Sequence, residues 1–472
     1  MISLATKHND PEAKLGWPER LGFGTGRFGM NMINAIIGSF VTIYYTNVAL
    51  LNPGIIATII ALSKVFDGVS DLIIGNIVDR TKSPMGKGRA WLFRMCIPFA
   101  ISSILLFYVP GSFPDMLKYV YFFLMYNVVN AVFLTFMFVP YFSMISLISK
   151  NGYERGLLGN ISEIFSTLGN IVINSFFAKL LTAFTTDAAN IYTQRAFTLT
   201  MAVIGVVVVA VVLLTVLFTK ERVTDNGGEK QKEKKKDGVK PLVAVKALLK
   251  NKYWLMMIAA MFTVFFVVIL YAMGGVYYCL YVFRDIDQLG WMGNSISVAQ
   301  LVIMFITPML MAKFGKRIVY TVGMGMLTLG FLGFGLFGVS KIMMIIFNVM
   351  KGAGLGMAGG MALGMIADAI TYGTWKTGVD AVGMGNAASS AAQKLGMGLG
   401  TAVFGWVLAG AGLDGALDVQ GLPQPDSVVT AVKFMYTWVP LVLCLVVFLM
   451  MLFFFDLDKK MKEIKEPEKA NN

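Results

Sequence analysis

The sequence predicts an all-α membrane protein of twelve transmembrane helices in two six-helix halves. Composition is the first reason: of 472 residues, 57% are hydrophobic and 14% charged, where a soluble domain carries about 25% charged residues. Mean hydropathy is +0.70. The second reason is pattern. Apolar residues fill blocks of about twenty or more instead of alternating with polar ones, and about 20 helical residues cross a hydrocarbon core. The third is charge, since lysine and arginine crowd into alternate connections between the blocks.

Taken in order, the blocks fall at roughly 22–47, 54–78, 90–110, 118–147, 159–184 and 197–219 in the first half. The second half holds roughly 253–282, 291–314, 316–338, 341–370, 381–411 and 431–455. Residues 1–20 are polar, with His8, Asp10 and Glu12, so no cleavable signal peptide is expected there and the first span serves as its own insertion signal. Residues 1–219 form one half, 220–252 a charged cytoplasmic linker, and 253–472 the other half with its tail.

A net charge of +13 suits nucleic acid in principle, but its distribution points elsewhere. Arg80, Lys82, Lys87, Arg89 and Arg94 follow span 2, "KERVTDNGGEKQKEKKKDGVK" follows span 6, and Lys313, Lys316 and Arg317 lie between spans 8 and 9. Lys459, Lys460, Lys462 and Lys465 close the chain. The opposite connections hold only scattered cations. This is the positive-inside pattern, with both termini and the linker cytoplasmic in a cell membrane. The bilayer is therefore the expected partner, nucleic acid is not, and a monomer is expected.

Cys96, Cys279 and Cys444 have no paired spacing and read as small apolar fillers. The single histidine leaves no histidine-based metal site. "GTGRFG", residues 24–29, matches G-x-G-x-x-G, but no strand precedes it and a membrane span follows, so the dinucleotide reading fails. With no nucleotide loop, no nucleophile–base pair and no cofactor motif, neither an enzyme nor an ATP-driven pump is expected, and no cofactor.

Six spans, a charged linker and six spans resemble the plan of the major facilitator transporters, which hold substrate midway between their halves. "GNIVDRTKSPMGKGR" after span 2 has a shorter basic echo, "MAKFGKR", after span 8. Glycine-rich "KGAGLGMAGGMALGM" and "KLGMGLGTAVFG" suit close helix contacts.

One polar feature inside a span calls for a function. "KVFDGVSDLIIGNIVDR" places Asp67 and Asp71 one helical turn apart on one face, where two carboxylates are costly. They repel unless a proton or a hard cation lies between them, or unless a basic residue such as Lys64 pairs with one to hold a conformation. Asp79, beside Arg80 at the cytoplasmic end, reads as part of a gating charge cluster.

"GRFGMNMINAIIGSFVTIYYTNV", "KVFDGVSDLIIGNIVDRTKSPMGKGRAW", "FVPYFSMISLISKNGYER" and "ADAITYGTWKTG" resemble the glycoside–pentoside–hexuronide:cation symporters, over essentially the whole chain. The resemblance implies movement of a sugar with H⁺, Na⁺ or Li⁺. It implies that Asp67 and Asp71, with Thr135, hold the coupling cation, and that the two aspartates would ligate the metal were that cation Na⁺. Ser70 stands where sodium-using relatives carry asparagine, which favours H⁺.

The sugar site departs from the family. Asn31 stands at a position that is acidic in the melibiose-type sugar site, Phe138 at a second, and Phe142 replaces a tryptophan. Ile161 and the neighbourhood of Gly359 fall where that site has an arginine and a tryptophan, while the lysine is kept as Lys394. A polyol pocket is still expected from Asn31, Asn34, Asn127 and Asn130, with Phe138 and Phe142 against a sugar face. Lys394 suits an anionic sugar, unless Glu163 or Asp368 neutralises it. An exporter of lipid or drug with the same fold is the competing reading.

Overall fold

The computed structural model describes residues 14–185, 192–223, 241–338, 340–379, 381–420, 422–458 and 460. His8 and most of the linker, 224–240, lie outside the described residues. No strand occurs among them. The helices are α1 (Trp17–Ile43), α2 (Pro53–Asp79), α3 (Lys87–Leu106), α4 (Asp115–Asn127), α5 (Thr135–Ile148), α6 (Gly152–Phe184) and α7 (Gln194–Phe218). There follow α8 (Pro241–Leu249), α9 (Lys252–Tyr277), α10 (Gln288–Phe314), α11 (Lys316–Phe337), α12 (Lys341–Thr377), α13 (Val382–Gly410), α14 (Gly415–Val419), α15 (Asp426–Lys433) and α16 (Val439–Phe453).

Among the described residues, nine helical stretches are long and apolar enough to cross a membrane. Of the twelve expected spans, α1, α2 and α13 have comparable lengths of 27, 27 and 29 residues but fall outside that set. The charges that matter on α2 are Lys64, Asp67 and Asp71. Four π-helical turns, Tyr44–Val48, Val128–Leu134, Tyr278–Phe283 and Phe434–Trp438, interrupt the α pattern. The region expected as a charged linker, 220–252, contributes a helix, α8, over the largely apolar "PLVAVKALL".

The chain forms two compact units. The first comprises 1–226 with 272–294 and 401–432, and the second 227–271, 295–400 and 433–472. Stretches of the second sequence half thus belong to the first unit, because their ends pack tightly on first-half helices. Gly405 leaves no room for a Cβ against Ala57, Gly415 none against the Thr46 carbonyl, and Trp406 Nε1 donates to Thr58 Oγ1 at 2.8 Å. Nearby, the Asp418 carboxylate accepts from Asn47, from the Tyr281 hydroxyl at 2.6 Å and from Gln424 at 2.9 Å. Asp418 lies in the connection between α13 and α15, and burial pushes its carboxyl above the ordinary value.

Within the first unit, glycines set helix contacts. On α1, Gly22 abuts Phe218, Gly24 abuts Phe165, Gly26 abuts Thr215 and Gly29 abuts Val211, so α1 lies against α6 and α7 with no space for side chains. The "GTGRFG" stretch is a packing surface.

The basic loop before α3 has an equally direct account. Gly86 caps α3 at φ 98°, ψ 164°, a region open essentially only to glycine. Its bare face lets the Glu221 carboxylate come close enough to accept from the Lys87 N–H at 2.7 Å and the Arg89 N–H at 2.8 Å. A carboxylate satisfies the orphan donors of a helix start and faces the positive end of its dipole. Burial pushes the Glu221 carboxyl up, and those backbone donors pull it back. In the second unit Gly315 caps α11 at φ 83°, ψ 161°, with an Asp458 oxygen facing its bare side.

Two buried ion pairs brace the same end of the first unit. Arg222 reaches Glu19 at 2.7 and 2.8 Å, and the Lys220 N–H donates to the same carboxylate at 3.1 Å. Arg20 reaches Glu154 at 2.6 Å. In the second unit Lys351 is buried, with its ammonium 4.0–4.9 Å from the ring centres of Phe331, Phe334 and Tyr436.

Candidate functional site

The paired aspartates sit on the face of α2 that turns toward α4 and α5. Positions 64, 67 and 71 follow the i, i+3, i+7 rule for one helical face. Lys64 Nζ donates to Asp67 Oδ2 at 2.8 Å, with side chains only 15% and 10% exposed, and the ammonium lies 5.7 Å from the Tyr126 ring centre. One turn on, Thr135 Oγ1 donates to Asp71 Oδ1 at 3.4 Å. That hydroxyl also reaches the Asn130 carbonyl at 3.3 Å, five residues back, the spacing of a π turn. The turn Val128–Leu134 therefore delivers Thr135 to α2. Asn127 Nδ2 donating to Ser63 Oγ at 2.9 Å ties the same helices together.

Ser70 points its hydroxyl at the Asp67 backbone carbonyl, 3.0 Å away. One ammonium, two carboxylates and one hydroxyl make the local chemistry. Hard oxygens of this kind take a proton or a small cation, and here they stand beside the Lys64–Asp67 ion pair. The cation expectation and the ion-pair expectation thus meet at one place.

The substrate expectations fare unevenly. Asn31 is buried and spends its amide on α6, donating to the Ser166 carbonyl at 2.7 Å and Asn170 Oδ1 at 2.8 Å. Asn34 is half-buried on the same helix. Asn130 donates to the Tyr126 carbonyl at 3.1 Å. Phe138 and Phe142 are stacked with centroids 6.1 Å apart, but the group over them is the Arg27 guanidinium, at 4.8 and 5.2 Å.

Lys394 is half-buried on α13 in the second unit. The two acids suggested as its counter-ions are engaged otherwise: Glu163 with Arg27 at 3.4 Å, and Asp368 with Lys316 at 2.7 Å. Arg80 follows α2 and is exposed, while the Asp79 side chain lies outside the described residues.

Comparison with known proteins adds what geometry cannot. The family model "MFS/sugar transport protein" matches residues 22–459. The isoprimeverose transporter of Lactiplantibacillus pentosus is 28% identical over 463 residues, covering 93% of this chain and 92% of that protein. A putative sulfoquinovose importer of Escherichia coli (strain K12) is 25% identical over 464 residues, covering 96% and 93%. Among solved structures, the xylose transporter of E. coli in a partially occluded inward-open conformation superposes with a TM-score of 0.61, covering 93% of this chain and 96% of that one. At 13% identity that likeness concerns the fold alone. The matches are to transporters and not to enzymes, and they agree with an all-helical chain rich in apolar spans. The chain belongs to the MFS/sugar transport protein family, among the glycoside–pentoside–hexuronide:cation symporters of the major facilitator superfamily.

Proposed function

We propose that this sugar–cation symporter takes up its sugar with a proton, bound at the Asp67–Asp71 pair. The observation that supports the reading is the grouping on one face of α2: Lys64 donates to Asp67 at 2.8 Å, and one turn on Asp71 accepts from Thr135 at 3.4 Å, so two carboxylates share a half-buried site with one ammonium. A proton needs one oxygen, whereas Na⁺ would need several. Ser70 adds only one hydroxyl oxygen, whose hydrogen is donated to the Asp67 backbone carbonyl. Alternating access then follows if protonation of Asp71 removes the second negative charge and lets α2 shift against α5. Arg80, with Asp79, is proposed to steady the cytoplasmic end between such states.

The test uses purified protein in proteoliposomes, with labelled isoprimeverose and labelled sulfoquinovose, the sugars named for two relatives, as probes. An inside-alkaline pH gradient should drive accumulation of at least one of them, and a Na⁺ gradient alone should not. Accumulation that requires Na⁺ would overturn the proton reading. Failure of both gradients with both sugars would overturn symport of these sugars.

We also propose that the linker and both termini face the cytoplasm, which rests on the alternation of basic loops. A single cysteine placed at position 230 should then resist an impermeant maleimide in intact cells and react in lysed ones. Labelling in intact cells would invert the topology.

A further inference from the structure

We propose that Arg27 is the substrate-recognising cation of the first unit, and that it selects a sugar bearing a carboxylate or sulfonate. The proposal rests on the sugar-symport reading and names the substrate class for it.

Arg27 lies on α1, in the first span expected from the sequence, with its side chain 15% exposed. A guanidinium there is costly to hold, so its surroundings should account for it. They do so only in part. The flat group stacks over Phe138 and Phe142, and such contacts contribute roughly 0.5–2 kcal/mol. Among the described residues its only side-chain hydrogen bond is a long one, from a terminal nitrogen to Glu163 Oε1 at 3.4 Å, and that carboxylate is 51% exposed. Arg27 Nε is buried with no acceptor at all. A guanidinium offers five N–H donors in a rigid fork that fits two oxygens of one planar or tetrahedral anion. Most of that fork is idle here.

The neighbourhood also leaves room. Gly159 and Gly156 stand one and two turns before Glu163 on α6, and a Cβ added at either would meet nothing within 4 Å. Phe142 is 42% exposed. The Glu163 face of α6 is thus open over the two turns before that residue. Arginine used purely to join α1 to α5 and α6 would be expected to close its hydrogen bonds on those helices, as Arg222 does with Glu19 at 2.7 and 2.8 Å. In the sugar-free state Glu163 acts as a weak place-holder. The sugar's oxyanion displaces it and takes the idle donors, while the sugar ring lies over the bare glycine face.

Binding to the purified full chain, by titration calorimetry, separates this from the transport reading. The probes are a methyl glucoside and the methyl glucuronide, which differ only in the C6 carboxylate. Wild-type protein should bind the glucuronide at least about ten-fold more tightly, the scale of one charge-assisted hydrogen bond. Arg27→Gln should lose that preference and change glucoside binding little; Arg27→Lys, which keeps the charge but not the fork, should fall between. Glu163→Gln, which leaves Arg27 in place and serves if Arg27→Gln does not fold, should tighten glucuronide binding. Equal binding of both sugars by the wild type, binding of neither, equal losses in Arg27→Gln, or weaker glucuronide binding in Glu163→Gln would each overturn the proposal. Because no ion gradient enters the measurement, failure of proton coupling would leave these outcomes unchanged.

Discussion

Asp71→Asn should reduce uptake to simple equilibration of sugar across the membrane, with no accumulation under an inside-alkaline gradient, while exchange of sugar down its gradient persists. Asparagine keeps the size of the side chain and can still accept from Thr135, 3.4 Å away in the native protein, so the helices should stay in place. What disappears is the carboxylate one turn along α2 from the Lys64–Asp67 pair. Asp67→Asn should also abolish accumulation, by a different route. It strands the Lys64 ammonium in a half-buried site, and Asp71 then becomes its counter-ion and is no longer available to a proton. The two variants should therefore differ in protein yield, with Asp67→Asn the poorer, and agree in losing accumulation. Counterflow and gradient-driven uptake in the same vesicles check both statements. Full accumulation by either variant would remove that carboxylate from the coupling site.

Glu19→Gln should cost the fold about 3–5 kcal/mol, the usual scale for breaking a buried pair. Both partners are out of water, Arg222 at 2% and Glu19 at 0% side-chain exposure. The carboxylate accepts two guanidinium hydrogen bonds and the Lys220 N–H, so it binds the segment after α7 to the start of α1. Glutamine leaves the arginine charged and only half answered. Replacing both partners together, Glu19→Met with Arg222→Met, should restore most of the loss, since matched apolar residues avoid the desolvation penalty. The denaturant midpoint of purified protein in one detergent reads all three. A single variant as stable as the wild type would mean that water reaches the pair.

The spans were legible because apolar length is a crude and robust signal. The predicted 197–219 became Gln194–Phe218, and 316–338 became Lys316–Phe337. Local hydrogen bonding within helices was not legible. The π turn Val128–Leu134 has no mark in "VVNAVFL", yet it places Thr135 beside Asp71. α12 runs on to Thr377, past the expected end near 370, because its last turns carry polar residues that hydropathy discounts. At the site, helical spacing alone brought Lys64, Asp67 and Asp71 to one face. Arg27 escaped because what it touches, Phe138, Phe142 and Glu163, lies more than a hundred positions away, and only tertiary packing joins them. Asn31, expected at the substrate site, also joins two helices through its amide nitrogen, a contact that no sequence pattern marks.

The capping glycines before α3 and α11 bear on ancestry. Gly86 and Gly315 share nearly the same backbone angles, and each turns its bare side to a carboxylate that arrives after the last long helix of its own half, Glu221 in one and Asp458 in the other. A six-helix ancestor that was doubled would hand the same joint to both copies, and each copy could then drift in every residue except those the joint needs. The second joint is the looser, since its carboxylate stands 3.8 Å from the place a Cβ would take, where Glu221 leaves no such room. A lineage that loosened one joint and kept the other tight would be free to vary the second half first.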